Sequence, residues 1–405
     1  MSLKTATRGT IPPFIVMDVL RVANERHAAG GAVFHLEVGQ PGTGAPAPVV
    51  EAVRKAVGTG RLGYTDAMGI PPLRRRIARH YAERYGVEVA PTRVAVTTGS
   101  SGAFLLSFLA AFDAGDRVGV PTPGYPAYRN ILRALGVEVV EVRTHLEEGF
   151  RLTPELLEVV DGPLDGLILA SPANPTGTVL SRDDLSSIVH ACATAGIRLV
   201  SDEIYHDITY GLSAPSALEL TSDAIVINSF SKYYSMTGWR LGWMVLPEEL
   251  VRPVECLAQN LFISPPTLSQ VAAVHAFDAS EELDGHVARY ARNRARILEA
   301  LPQMGIERWG PSDGAFYLYA DISRFSRDSE SFCRRMLEES GVATTPGTDF
   351  DPEQGNLFLR ISFAGAEEDI SRAMDAMGGW LKGIPGVSSP AGSRRPGSSE
   401  RWRIP

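Results

Sequence analysis

The chain has 405 residues, of which 44% are apolar and 21% charged, and its formal net charge is −8 at pH 7. Such proportions belong to a globular protein too long for one ordinary core, so a large domain and a smaller one are expected. The acidic balance argues against nucleic acid or an anionic membrane as the main partner, but it leaves room for a local cationic pocket.

The N-terminal MSLKTATRGTIPPF has no apolar signal-peptide core. The best apolar run, from Ala103 to Phe112, stops at Asp113, too short to span a bilayer. Residues 1–45 are expected to join the smaller domain or to reach a partner subunit. From 46 to 300 the pattern is that of the large domain. Val94–Thr98 reads as a β-branched strand, followed by the glycine-rich TTGSSGA and a helix from Ala103 to Phe112. Buried strands are predicted at 117–120, 137–142, 166–170, 198–202, 224–228 and 241–245, with helices such as 127–135 and 182–195 between them. This alternation predicts an α/β fold, in which a mostly parallel sheet is flanked by helices.

After Pro247 the pattern turns helical, with a long charged helix over 280–301. Residues 301–384 then mix strands (315–322 and 357–363) with helices (329–340 and 367–381), as a smaller α+β domain would. The tail 385–405 is rich in Gly, Pro, Ser and Arg and is expected to be disordered. Cys192, Cys256 and Cys333 are far apart, lack zinc-ligand spacing and are odd in number. A reduced, cytoplasmic setting is the simplest expectation. The histidines show no ligand spacing either, and no metal is expected.

Chemistry concentrates at a few places. Lys232 directly follows a predicted strand in SFSKYYSMTGWR, with Ser229 and Ser231 before it and Arg240 beyond a glycine turn. A lone lysine there is ordinarily a solvated charge. A lysine amine that can form an imine, beside an arginine fork and two hydroxyls, suits an aldehyde carrying a phosphate. Gly99, Ser100 and Ser101 sit between a strand and a helix, where backbone N–H groups can face an anion. The turn matches neither a dinucleotide fingerprint nor a P-loop. Asp202 ends a strand, as a helix cap does, but a carboxylate there can also pair with a protonated ring nitrogen. Tyr205 follows it. Asn174 lies in the turn SPANPTG, and Arg360 is a cation inside the apolar strand LFLRISFA, where a carboxylate is its natural partner.

Taken in order, the stretches VGQP, GYTDAMGIPPLR, VTTGSSGA, PTPGYPAY, SPANPTG, SDEIYHD, SFSKYYSMTGWRLGW and LFLRISFA cover Gly39 to Phe363. In that order the chain resembles the class I/II aminotransferases of pyridoxal-phosphate fold type I. The resemblance implies that Lys232 carries the cofactor and moves the substrate proton. It implies that Asp202 keeps the pyridine nitrogen protonated, that Tyr205 and Asn174 bond the phenolic oxygen, and that Tyr125 stacks on the ring. Gly99, Ser100, Ser101, Ser229, Ser231 and Arg240 would hold the phosphate, with Tyr64 reaching the cofactor of a neighbouring subunit in a homodimer. Arg360, with the backbone at Gly39, would clamp the substrate carboxylate.

The implied reaction moves an amino group from an L-amino acid to a 2-oxo acid with ping-pong kinetics. A β-lyase of the C–S type or a cyclopropane-forming synthase shares these motifs, and fold does not separate them. A non-catalytic cofactor-binding regulatory module is a reading of another class. The few residues before VGQP and the acidic charge speak against its DNA-binding domain. The helix after the glycine turn, 101–114, contains no Lys or Arg. This lowers the expectation of an aspartate-like substrate in favour of an aromatic or aliphatic one.

Overall fold

The computed structural model describes residues 3–384; the tail 385–405, expected to be disordered, lies outside them. The strands are β1 (Phe34–His35), β2 (Val94–Thr97), β3 (Arg117–Thr122), β4 (Glu138–Arg143), β5 (Gly166–Ala170), β6 (Arg198–Asp202), β7 (Ile225–Ser229), β8 (Gly242–Val245), β9 (Tyr317–Asp321), β10 (Val342–Ala343), β11 (Thr345–Pro346) and β12 (Phe358–Ser362). Seven of them form one sheet in the order β2-β8-β7-β6-β5-β3-β4. All pairings are parallel except those of β8, which runs antiparallel to both β2 and β7. The expected large, mostly parallel sheet is therefore present. Its central strands are apolar without alternation: Ile225–Ser229 is buried at every position, as helices on both faces require.

The helix Gly99–Ala111 packs on β7 and β8 and against the helix Glu248–Leu261. It is apolar on nearly every side because it is covered on nearly every side. It begins four residues before the predicted start at Ala103. Gly99 takes φ +74°, a left-handed conformation that a β-carbon would strain, and that geometry starts the helix early. Thr98 makes no side-chain cap to it, so its first N–H groups stay available.

A second core lies around the antiparallel sheet β11-β12-β9 and the parallel pair β1-β10. Tyr290, Ile297, Phe316, Leu318, Ile361 and Met377 pack there, bringing the helices Ser280–Gln303 and Glu367–Lys382 together. The strand predicted from Ala315 starts at Tyr317 instead, because Ala315 has φ +57° and belongs to the preceding turn. The helix Ile15–Ala28 was not foreseen. Its N-terminus is held by Asp349, whose carboxylate accepts from Ile15 N (3.1 Å) and Val16 N (3.2 Å), complementing the helix dipole. No helix among the described residues is long and apolar enough to cross a membrane.

Candidate active site

The parallel strands β3, β5, β6 and β7 end on one side of the sheet; the last residue of β6, Asp202, and the segments after β3, β5 and β7, with Tyr125, Asn174 and Lys232, meet at one cavity of about 420 Å³. Gly39, Ser100, Ser101, Tyr205, Ser231, Arg240 and Arg360 also line it. Residues spread over the sequence from Gly39 to Arg360 thus converge.

Lys232 Nζ donates to Gly39 O at 2.6 Å. Burial, aided by the nearby Arg360 cation and opposed by Asp202, lowers its pKa from 10.5 to about 8. Asp202 lies at the end of β6, with Oδ1 accepting from Ile204 N at 3.1 Å and Oδ2 accepting from the Tyr128 hydroxyl. Burial pushes its pKa up from 3.8 to about 6, against the pull of these two donors and of Lys232. Tyr125 stands beside Tyr128 and Phe14, with edge-to-face contacts at 5.3 and 5.6 Å. The Tyr205 hydroxyl is 2.7 Å from that of Tyr317.

At the other end, the uncapped start of the helix Gly99–Ala111 faces Ser231, Thr237, Gly238 and Arg240 across the cavity. Arg240 Nη1 is anchored to Thr237 O at 2.9 Å, and Arg240 takes φ +50°. A β-carbon on Gly99 would sit 2.6 Å from Arg240 Nη2, which would have to shift, and φ +74° at that position favours glycine whatever the space. Ser229 does not line the cavity. Its hydroxyl donates to Leu241 O (3.1 Å) and accepts from Ser231 N (3.1 Å), which props the loop.

Arg360 is buried on β12. Nη1 donates to Asn174 Oδ1 at 2.8 Å, and Nη2 donates to Glu37 O and to Thr345 Oγ1. The guanidinium lies over the rings of Tyr317 (4.3 Å) and Phe350 (4.7 Å), and Nε is buried without a hydrogen-bond partner. A buried cation with an unanswered donor calls for an anion. A β-carbon on Gly39 would stand 2.6 Å from Tyr317 Cζ, so glycine is needed there as well.

These groups fit pyridoxal phosphate and an amino acid. An amine whose pKa is lowered to about 8 can meet an aldehyde, a buried carboxylate can meet a ring nitrogen, and an uncapped helix start with hydroxyls and Arg240 can meet a phosphate. The orphaned Nε of Arg360 remains for a carboxylate. Tyr64, by contrast, is 84% exposed and outside the cavity of this chain. Tyr128, Tyr317, Phe14, Val16 and Met17 also line the cavity and were not anticipated. The repeat of Tyr125 at Tyr128, one helical turn on, was a signal for the first. No local signal marked the others.

Residues 32–377 match the family described as Aminotransferase class I and II. The chain is 50% identical over 386 residues to the valine–pyruvate aminotransferase of Mycobacterium tuberculosis, covering 94% of this chain and 99% of that protein. It is 34% identical over 368 residues to a (5-formylfuran-3-yl)methyl phosphate transaminase of Methanocaldococcus jannaschii, covering 89% and 95%. The crystal structure of an aminotransferase from Mycobacterium tuberculosis superposes with a TM-score of 0.92 at 50% identity, over 94% of this chain and all of that one. These relatives support transamination over the lyase and synthase chemistries that the motifs left open. The chain belongs to the class I and II aminotransferases, enzymes that use pyridoxal phosphate to move an amino group from an amino acid to a 2-oxo acid.

Proposed function

We propose that the preferred donor is an L-amino acid with a branched aliphatic side chain and that the acceptor is a small 2-oxo acid. The wall above Tyr125 carries this reading: Phe14, Val16 and Met17, from the N-terminal segment, close the cavity with apolar surface. Among the described residues its Lys and Arg side chains are Lys232, Arg240 and Arg360, each with a role in holding cofactor or substrate carboxylate. A side-chain carboxylate would enter without a partner, at a large desolvation cost. The valine–pyruvate name of the relative at 50% identity supports the same class.

When bound, pyridoxal phosphate supplies the aldehyde that condenses with the amino group and the conjugated ring that accepts electrons from the Cα–H bond. Arg360 receives the substrate carboxylate through its free Nε side. The Lys232 amine, lowered toward neutrality, removes the Cα proton and later returns it. Asp202 supplies the anion opposite the ring nitrogen. Asn174, whose Oδ1 is engaged by Arg360, has its amide N–H groups left to donate to the phenolic oxygen beside Tyr205. Tyr125 provides the stacking face. Ser100, Ser101, Ser231, Arg240 and the backbone at Gly99 hold the phosphate, with Ser229 supporting the loop.

The enzyme is further proposed to work as a cytoplasmic homodimer, with Tyr64 serving the neighbouring site. Leu62, Tyr64, Leu261 and Ile263 are exposed, and hydrogen bonds from Thr65 N to Ser264 and from Thr267 to Gly63 O join their two segments into one apolar neighbourhood. We place the large domain at 46–300 and the smaller one at 301–384, with the helix Ser280–Gln303 crossing the boundary and packing Tyr290, Ile297 and Leu301 into the second core. The test is a panel of amino acids with pyruvate as acceptor. Valine-like donors are expected to exceed aspartate in kcat/KM by about 100-fold or more. A preference for aspartate overturns the assignment.

A further inference from the structure

The segment Phe34–Gly39 runs from β1 into the active site and presents two backbone carbonyls to functional side chains. Glu37 O accepts from Arg360 Nη2 and from Thr345 Oγ1 (2.9 Å), and Gly39 O accepts from Lys232 Nζ. The backbone is tied on both sides. Phe34 N donates to Gly341 O (2.8 Å), Leu36 N to Ala343 O (3.0 Å), and Ser362 N to Leu36 O (2.7 Å).

The side chain of Glu37 takes no part in these bonds, yet it is wholly buried. Oε1 lies 2.7 Å from His35 Nδ1, and Oε2 is buried with no hydrogen-bond partner. Residues two apart in an extended chain share a side, so His35 meets Glu37 while its ring stays 39% exposed. A buried carboxylate answered by a single imidazole is unfavourable next to an apolar residue of similar size. Here it stands on the peptide that aims Arg360.

We propose that Glu37, paired with His35, is a positioning residue for substrate capture, fixing the peptide whose carbonyl orients Arg360 toward the substrate carboxylate. The inference rests on the reading of Arg360 as the carboxylate clamp. Around the pair, Asp369 on the helix Glu367–Lys382 adds attraction for an imidazolium, while Arg372 of that helix stacks on Phe34 at 5.1 Å. Arg26 of the helix Ile15–Ala28 reaches the nearby carbonyl of Ala32 (3.2 Å), and Arg360 of β12 reaches Glu37's own carbonyl. The hydrogen bond to Glu37 raises the His35 pKa above its ordinary value.

The experiment titrates the holoenzyme with 3-methylbutanoate, an unreactive carboxylate without an amine, by calorimetry from pH 6 to 9. KM and kcat for a 2-oxo acid are measured alongside. In the wild type, affinity is expected to fall through one step above pH 6.5, the ordinary imidazole value, as His35 loses its proton. Glu37→Gln and His35→Gln are expected to raise Kd and KM at neutral pH by about tenfold, to leave kcat within about twofold, and to abolish the pH step. Should Glu37→Gln not fold, His35→Gln keeps the buried carboxylate and carries the comparison alone. Arg360→Ala separates the two ideas. If Arg360→Ala weakens 3-methylbutanoate while both pair variants bind it as the wild type does, the positioning role is overturned. If Arg360→Ala binds it unchanged, the clamp reading falls and takes this inference with it.

Discussion

Tyr128 donates its hydroxyl proton to Asp202 Oδ2 in the wall of the cavity, joining the helix Pro126–Leu135 to the end of β6. The bond pulls the Asp202 pKa down against a burial that holds it at about 6. Removing the hydroxyl raises it further. Tyr128→Phe should therefore move the acid limb of kcat/KM to higher pH and lower kcat by about 10- to 100-fold. The cofactor absorption band should remain. A pH–rate profile decides the matter, and an unshifted acid limb would remove Tyr128 from this role.

In the role proposed for it, Lys232 must be neutral to capture the cofactor aldehyde. With its pKa lowered to about 8, the rate of pyridoxal phosphate uptake by the cofactor-free chain should rise with pH and level off above about 8. Stopped-flow absorbance measures it. A rate still climbing at pH 10 would mean that the amine is an ordinary, solvated one.

The same lysine bears on stability. Its pKa is lower folded (about 8) than the ordinary 10.5, so its stabilising contribution is full above 10.5 and lost as pH falls through about 8. At pH 7 the cofactor-free chain folds around an unfavourable buried cation. Lys232→Met should abolish turnover yet raise the thermal midpoint of the cofactor-free protein at pH 7. The gain should shrink toward pH 10. A lower midpoint at pH 7 contradicts this account.

Arg360→Ala leaves Asn174 and the Glu37 carbonyl without their donor and the substrate without its fork. KM for amino acid donors should rise by about 100-fold or more, since charge-assisted hydrogen bonds to a buried cation are worth several kcal/mol. The dissociation constant of pyridoxal phosphate should change far less. Equal losses in both would move Arg360 out of the substrate site.

Gly99→Ala places a methyl group 2.6 Å from Arg240 Nη2 at a residue with φ +74°. The phosphate end of the cavity should loosen, weakening cofactor affinity by about tenfold while KM for the amino acid changes little. Equilibrium dialysis of the cofactor reads the first and steady-state kinetics the second. Cofactor affinity equal to that of the wild type would show that the cup tolerates a side chain there.

Much of this protein was legible along the chain. Continuous apolar runs marked the buried strands, because a strand covered on both faces cannot alternate. Lys232, Asp202 and Asn174 sat beside such runs, at the strand ends where parallel sheets open their crevices. Arg360 declared itself as a charge within an apolar strand. Other features depended on tertiary packing. Tyr128 reaches Asp202 across 74 positions and Tyr205 meets Tyr317 across 112, so no local pattern could pair them. Gly39 needs glycine because of Tyr317, and the N-terminal helix finds the cavity because Asp349 caps it. Nothing local in the sequence singles out Glu37, and only folding buries it beside His35. Periodicity reports which face of an element is covered; which distant side chain covers it is decided by how the elements pack.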